Sequence, residues 1–399
     1  MRHNFINRHA LLAGLSIAAL GLSSCLDKGD ESIILENAMS QLVADIPSDD
    51  MATPNPTVNN PTTTLPNATC SVEKNGNGVY VASINMTGVW NEDAEEWLKL
   101  YGTAYDAQNV WVSVDGNPKG IDVYNTADGE GARTVSADLV FLVDHSGSMG
   151  QEADGLANQV IAWSQKLAQS GLDIRFGCVG YGAGYFSNSC VGGAVNLTTA
   201  TTLKAFFDRS TSTSRTMGFY GSDAETLKSK ATSGNYDNGS WGNNECGMVA
   251  LRYADDNFAF RSGSNRIYVN FTDEPNQPDG SQAWSVEALK TNIWNTSKGT
   301  IHTVWSGGTY SWTTLRYEDP KLMSVYTGGT SKDVSPSFTN VTLDDLPVTG
   351  AMQNSYIIRF TNISEFMDGQ PHVVKVTVVS SDGKVQAEKE FYVIFGVAE

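Results

Sequence analysis

The run Leu139-Val-Phe-Leu-Val-Asp-His-Ser-Gly-Ser-Met149 decides the fold. Residues 139–143 are apolar without alternation, which reads as a strand covered on both faces, since a strand with one wet face alternates. Behind it, Leu156, Val160, Trp163 and Leu167 recur at helical spacing. Residues 174–179 read as the next strand and 194–197 as a short one, followed by a short helix over 201–209. Further on, 248–258 reads as helix, 266–271 as strand, 283–294 as helix, 301–305 as strand, 320–326 as helix and 331–334 as a last strand. Strands alternating with helices predict an α/β fold, a doubly wound and mostly parallel sheet over residues 136–348.

On either side the pattern turns to strands alone. Residues 80–86 are β-rich, and 110–114, Asp115-Gly-Asn-Pro118 and 121–124 read as strand, turn, strand. Near the other end, 356–360 is a strand, and 372–379 and 385–395 flank the hairpin signal Ser381-Asp-Gly-Lys384. The segments 70–135 and 349–399 supply about three strands each, marginal alone. Together they predict one all-β sandwich with the α/β domain inserted in it; two separate β modules are the alternative.

The chain has 399 residues, of which 40% are hydrophobic and 18% charged, which supports packed cores rather than wholesale disorder. Lys and Arg total 26 against 44 Asp and Glu, a net charge of −18. That excess excludes the basic footprint of a nucleic-acid binder and suits cations or basic partners. Arg2 and Arg8 precede an apolar run over 10–22, then Ser23-Ser24-Cys25. A basic start, a short apolar stretch and small residues make a secretory signal over 1–24, too short to span a bilayer at about 20 residues. Leu22-Ser23-Ser24-Cys25 resembles a bacterial lipobox, which implies lipidation of Cys25 and a cell-envelope location. Leu26 after that cysteine points to the outer membrane. Residues 25–69 read as a flexible tether, because 47–67 is dense in Pro, Thr, Asn and Asp.

Four cysteines remain beyond Cys25: Cys70, Cys178, Cys190 and Cys246. An even set in an exported chain suggests disulfides, and a strand–turn–strand reading favours Cys178–Cys190. Zinc is disfavoured by the absence of any Cys-x-x-Cys and by only three histidines after residue 24.

The chemistry lies in the turn after the apolar strand. Ligands of open α/β sheets bind outside the carboxyl ends of the strands, where Asp144 stands. Ser146 and Ser148 follow at alternate positions, with Gly147 for a tight turn. One carboxylate and two hydroxyls make an all-oxygen cluster suited to a hard cation, Mg²⁺ before Mn²⁺ or Ca²⁺.

Asp144-x-Ser146-x-Ser148 after such a strand resembles the metal-ion-dependent adhesion site of von Willebrand factor A domains. The resemblance implies that an Asp ending a later strand completes the site, which is Asp273 in Phe271-Thr-Asp-Glu274. Tyr326-Thr-Gly-Gly329 resembles the family's closing helix-to-strand turn. The family's Thr ligand has no counterpart in 238–251; the stretch resembles instead the variant in which a Glu opens the helix, as in integrin β subunits, so Glu245 is the candidate, ahead of Thr232 and Asp237. What the resemblance implies is binding: a partner's Asp or Glu carboxylate completes the cation's shell. The long segment 210–243 carries Phe219, Tyr220, Tyr236 and Trp241, which either anchor a partner or stabilise the loop on its own domain.

Competing chemistries fit less well. Ser146 and Ser148 are also able to cap the next helix. A serine hydrolase elbow needs Gly-x-Ser-x-Gly, which Asp144-His-Ser-Gly-Ser-Met-Gly150 does not provide. The expected protein is therefore no enzyme but a lipid-anchored binding protein. A structural subunit of an envelope complex is the alternative, and a metal-dependent hydrolase is the more distant one.

Overall fold

In the computed structural model of the chain, the described residues are 46–74, 77–91, 93–102, 108–125, 136–150, 152–169, 173–182, 189–208, 221–222, 224–231, 233, 235–239, 245–290, 298–335 and 347–397. The signal segment, Cys25, Phe219, Tyr220, Thr232 and Trp241 lie outside them. No helix among them is long and apolar enough to cross a membrane.

The first flank forms β1 (Ala68–Lys74), β2 (Tyr80–Met86), β3 (Trp90–Asn91), β4 (Glu96–Trp97), β5 (Val110–Val114), β6 (Asn117–Pro118) and β7 (Ile121–Asn125). The middle forms β8 (Ser136–Asp144), α1 (Glu152–Gln169), β9 (Asp173–Tyr181), β10 (Val191–Thr198), α2 (Ala200–Asp208), β11 (Gly221–Ser222), α3 (Glu225–Ala231), α4 (Gly247–Asn257), β12 (Asn265–Thr272), β13 (Thr300–Trp305), α5 (Lys321–Thr327) and β14 (Ser331–Asp333). Then come α6 (Pro347–Gln353), β15 (Tyr356–Phe360), β16 (His372–Val379) and β17 (Gln386–Val393).

The middle strands make one sheet in the order β11-β10-β9-β8-β12-β13-β14. β8, β9, β12, β13 and β14 run parallel, and β10 lies antiparallel to β9. Both faces of β8 are buried. Leu139, Phe141 and Val143 join Leu156, Val160, Trp163 and Leu167 of α1 in one cluster, while Val140 and Leu142 join Met248 and Leu251 of α4 in another. This is why the apolar run does not alternate. The chain is thus a mixed α/β protein with a mostly parallel sheet and separate antiparallel sheets.

Over the described part of the expected 283–294 helix the chain instead forms two 3-10 turns, Gln282–Trp284 and Val286–Lys290; residues 291–294 lie outside the described residues. The Glu318 carboxylate takes the Ser285 hydroxyl and the Val286 N–H, diverting the backbone from an i→i−4 ladder.

The flanking strands interleave. One sheet runs β1-β2-β15-β7, with β15 between two strands of the first flank, and the other β17-β16-β5-β6, so each combines strands from both ends of the chain. Their inward residues, among them Ile84, Val112, Ile358, Val376 and Phe391, form one apolar cluster. Asp115 and Gly116 both have positive φ, 47° and 83°, and close a two-residue hairpin between β5 and β6. β5 and β7 nevertheless belong to different sheets. Between them, Lys119 turns inward to Asp49 and the Asn362 carbonyl, both at 3.0 Å. Gly120 lies so close to Pro47 that a Cβ would stand 2.1 Å from its carbonyl oxygen.

Residues 46–69 are the described part of the expected tether; 46–67 run along these sheets, and Ala68 and Thr69 already belong to β1. Asn55 donates to Thr377 at 3.0 Å, and Asn67 donates to the Gly299 carbonyl at 2.8 Å and is buried, linking the sheets to the α/β domain.

The expected Cys178–Cys190 disulfide is not formed. Cys178 pairs in register with Val195, whereas the Cys190 carbonyl accepts from Gly182 N–H. The two cysteines are therefore about four residues, ~13 Å, apart along the strand, beyond disulfide reach. They also face opposite clusters of the sheet.

His372 joins β16 to the β5–β6 turn, with Nδ1 2.7 Å from Asp115 and Nε2 3.0 Å from Asp368. The Asp115 hydrogen bond raises the histidine above its usual range, and the two carboxylates sit below theirs. The histidine's contribution is full below its unfolded pKa and is lost as pH rises through its folded one. The carboxylates' contribution is present above their unfolded pKa and is lost as pH falls through their folded values. The cluster should stabilise most between about pH 4 and 6.5. We expect His372→Gln to lower the melting temperature near pH 5 and to lose that effect by about pH 9; an equal deficit at both would refute the charged cluster.

Candidate metal centre

Asp144 ends β8, and the ladder closes just beyond it, where His145 N–H donates to the Tyr181 carbonyl at 2.9 Å. The chain then turns sharply. Ser146 N–H donates to Asp144 Oδ1 at 2.9 Å, and Met149 N–H to the Ser146 carbonyl at 3.2 Å. That turn brings the hydroxyls of Ser146 and Ser148 to 3.0 Å from each other. It is a turn about a carboxylate that leaves the other carboxylate oxygen for a neighbour.

The neighbour is the end of β12. Thr272 donates its hydroxyl to Asp144 Oδ2 at 2.9 Å and accepts Glu274 N–H at 3.0 Å. The next residue, Asp273, accepts the Ser148 hydroxyl at 3.2 Å on Oδ1. β8 and β12 are adjacent and parallel, so both turns leave the same edge of the sheet. Asp144, Ser146, Ser148 and Asp273 are thereby brought together.

Glu245 reaches the same place from the residue before Cys246, the N-cap of α4. Gln277 holds it twice, side chain to Glu245 Oε2 at 2.8 Å and backbone N–H to its carbonyl at 3.2 Å. Gly182 shows how near the two acids are. A Cβ there would lie 2.7 Å from Asp144 Oδ1 and 3.3 Å from Glu245 Cγ, and its φ of 93° suits glycine. Asp237, the poorer alternative, spends its carboxylate on Gly239 N–H in its own turn. Tyr236 points into the domain, stacked edge-on against Tyr253 at 4.9 Å with its hydroxyl on Asp256, and is buried. Of the four aromatics in 210–243 it is the one described, and it stabilises the loop rather than facing outward.

Four carboxylates crowd this edge. Burial pushes Asp144 up to about 8, helped by the charges of Glu245 and Asp273 and opposed by Ser146 N–H. Burial and the Glu274 charge push Glu245 up to about 7. Asp273 and Glu274 are also raised, burial being the main cause. Among the described residues no Lys, Arg or His forms an ion pair with any of the four. Nor is any group of three or more His, Cys, Asp and Glu side chains spaced to hold a metal ion there. The converging oxygens divide instead between carboxylates and hydroxyls, a donor set without nitrogen or sulfur that fits a hard cation. The uncompensated negative charge fits it too.

Sequence reasoning missed the supports. Glu318 is buried and accepts Asn276 Nδ2 at 3.0 Å, the Ser285 hydroxyl at 2.6 Å, Val286 N–H at 2.8 Å and Leu315 N–H at 3.0 Å. Asn276 in turn accepts Met248 N–H at 3.1 Å, capping α4 behind Glu245. Also missed was the stretch after β13, where Trp305, Tyr310 and Trp312 cluster beside Asp273. The signal for it was three aromatics in a long segment at a strand's carboxyl end.

No family model matches the chain, and no curated protein matches it. Among solved structures it is similar to the conserved hypothetical protein BatB from Bacteroides thetaiotaomicron, with TM-score 0.31 and 15% identity over 51% of this chain and 92% of that one. It is also similar to the pilus adhesin SpaC from Lactobacillus rhamnosus GG in its open conformation, with TM-score 0.32 and 13% identity over 86% of this chain and 55% of that one. The human COPII-coat protein Sec24c follows, with TM-score 0.31 and 10% identity over 86% of this chain and 61% of that one. At these identities and TM-scores the likenesses assign no family.

Proposed function

We propose that the chain is a binding protein of the bacterial cell envelope rather than an enzyme. It carries a domain like those of von Willebrand factor A on a β-sandwich, tied to the outer membrane by lipid on Cys25. Asp144, Ser146, Ser148, Glu245 and Asp273 would hold a divalent cation, Mg²⁺ before Mn²⁺ or Ca²⁺. When bound, that cation would supply an electrophilic position for an Asp or Glu carboxylate of a protein partner. The chain's own residues prepare the place: Thr272 orients Asp144, Gln277 orients Glu245, and Ser148 ties Asp273 to the first turn.

The single observation supporting this reading is the meeting of the Asp144 and Asp273 turns, 129 residues apart in sequence, through the Ser148 hydroxyl. Isothermal titration of the purified protein with Mg²⁺, Mn²⁺ and Ca²⁺ tests it. Saturable binding by the native protein, lost in Asp144→Ala, is the expected result. Silence of the native protein, or unchanged binding by the variant, removes the metal from the account.

A further inference from the structure

The loop between β13 and α5 builds an aromatic wall at the edge of the acidic cluster. Trp305 lies edge-on to Tyr310 at 5.8 Å and to Trp312 at 6.0 Å, and Tyr310 stacks on Trp312 at 5.7 Å with 29° between the rings. Trp305 is buried, while Trp312 is 44% exposed. The wall is fastened to the site. Gly307 passes so close to Asp273 that a Cβ would stand 2.1 Å from its carbonyl oxygen, and the Tyr310 hydroxyl lies 3.5 Å from that oxygen and interacts with the Glu274 carboxylate. The loop's own cation, Arg316, sits over Tyr317 at 5.4 Å.

We propose that Trp312, Tyr310 and the Glu274 carboxylate form a subsite for an Arg or Lys side chain of the protein partner. Trp312 offers a cation an exposed π face, and the Tyr310 ring stacked on it meets the Glu274 carboxylate at its hydroxyl, which supplies a counter-charge. Charge balance then selects the partner. Asp144, Glu245, Asp273 and Glu274 meet here, and among the described residues no basic side chain forms an ion pair with any of them. A partner segment bringing a carboxylate alone adds to the excess, whereas one pairing the carboxylate with a basic residue does not. The chain's net charge of −18 favours the same partner at long range. The inference takes its partner class from the binding reading above, but not its metal.

The test is selection of random displayed peptides on the full chain in Mg²⁺, on Trp312→Ala, and on the full chain in EDTA. We expect Arg or Lys to be enriched about tenfold on the native chain and not on Trp312→Ala. Trp312→Tyr, which keeps an aromatic face, should retain most of the enrichment. Because Trp312 is exposed, the variants should fold, and circular dichroism checks this. No basic enrichment on the native chain, or enrichment surviving Trp312→Ala, overturns the subsite. Binding to a glycan array that is lost in Trp312→Ala overturns it in favour of a sugar platform. If EDTA abolishes acidic enrichment and leaves the basic one, both readings stand. If acidic residues are never enriched while basic ones are, the metal reading fails and the subsite holds.

Discussion

Asp144→Asn should raise the melting temperature of the cation-free protein at about pH 8 while removing its response to Mg²⁺. The two effects oppose each other because the same buried charge is costly without a counter-ion and necessary with one. Asp144 is 1% exposed, and burial followed by the Glu245 and Asp273 charges raises it from 3.8 to about 8. A carboxyl raised in the folded state gives its full stability below the unfolded pKa. That stability drains away as pH rises through the folded value. The cation-free protein should therefore weaken between about pH 4 and 8 by a few kcal/mol, since a tenfold change in proton affinity is worth about 1.4 kcal/mol. The amide is shaped like the carboxylate and carries no charge, so it removes the Asp144 share of that slope and leaves the smaller share of Glu245. In native protein Mg²⁺ should restore stability, and more at about pH 8 than at pH 5, because protons compete for the same oxygens. Thermal melts of both proteins with and without Mg²⁺ across this range decide it. A native profile that is flat in pH and in Mg²⁺ would contradict the electrostatic account of the site.

Glu318→Ala is expected to cost on the order of 3 kcal/mol, since it strands buried donors that have one shared acceptor. Val286 N–H, Leu315 N–H and the Ser285 hydroxyl all end on this carboxylate, and Asn276 is held by it. The loss should reach the site as well. Asn276 caps α4 at Met248, and Gln277 beside it holds Glu245, so cation affinity in the titration should fall along with the melting temperature. Glu318→Gln, which keeps the volume, should lose less stability than Ala. Chemical denaturation followed by tryptophan fluorescence measures the first effect. A variant that melts normally would mean that water replaces the carboxylate at every donor.

The elements read most safely from the chain were those set by local chemistry. Residues 139–143 could be read as a central strand because no polar residue interrupts them. The buried face of α1 was legible because Leu156, Val160, Trp163 and Leu167 share one 3.6-residue stripe. Asp144, Ser146 and Ser148 stood out because a single turn carries all three oxygens. Where the reading went astray, long-range contacts decided. The 283–294 stretch has helical spacing, yet Glu318, some 30 residues on, captures its backbone. Cys178 and Cys190 flank one turn, yet the register of β9 against β10 separates them.

By itself, then, the amino-acid order determined the strand–helix alternation, the acidic character and the Asp144–Ser148 oxygen turn, since each depends on neighbours within a few residues. Only the tertiary structure decided which sheet received each flanking strand. It alone placed Thr272 against Asp144, Gln277 against Glu245 and the Trp305–Tyr310–Trp312 wall beside Asp273. Those pairings join residues 32 to 128 positions apart, and a hydrogen bond or ring contact over such a separation exists only once packing has brought the two backbones together.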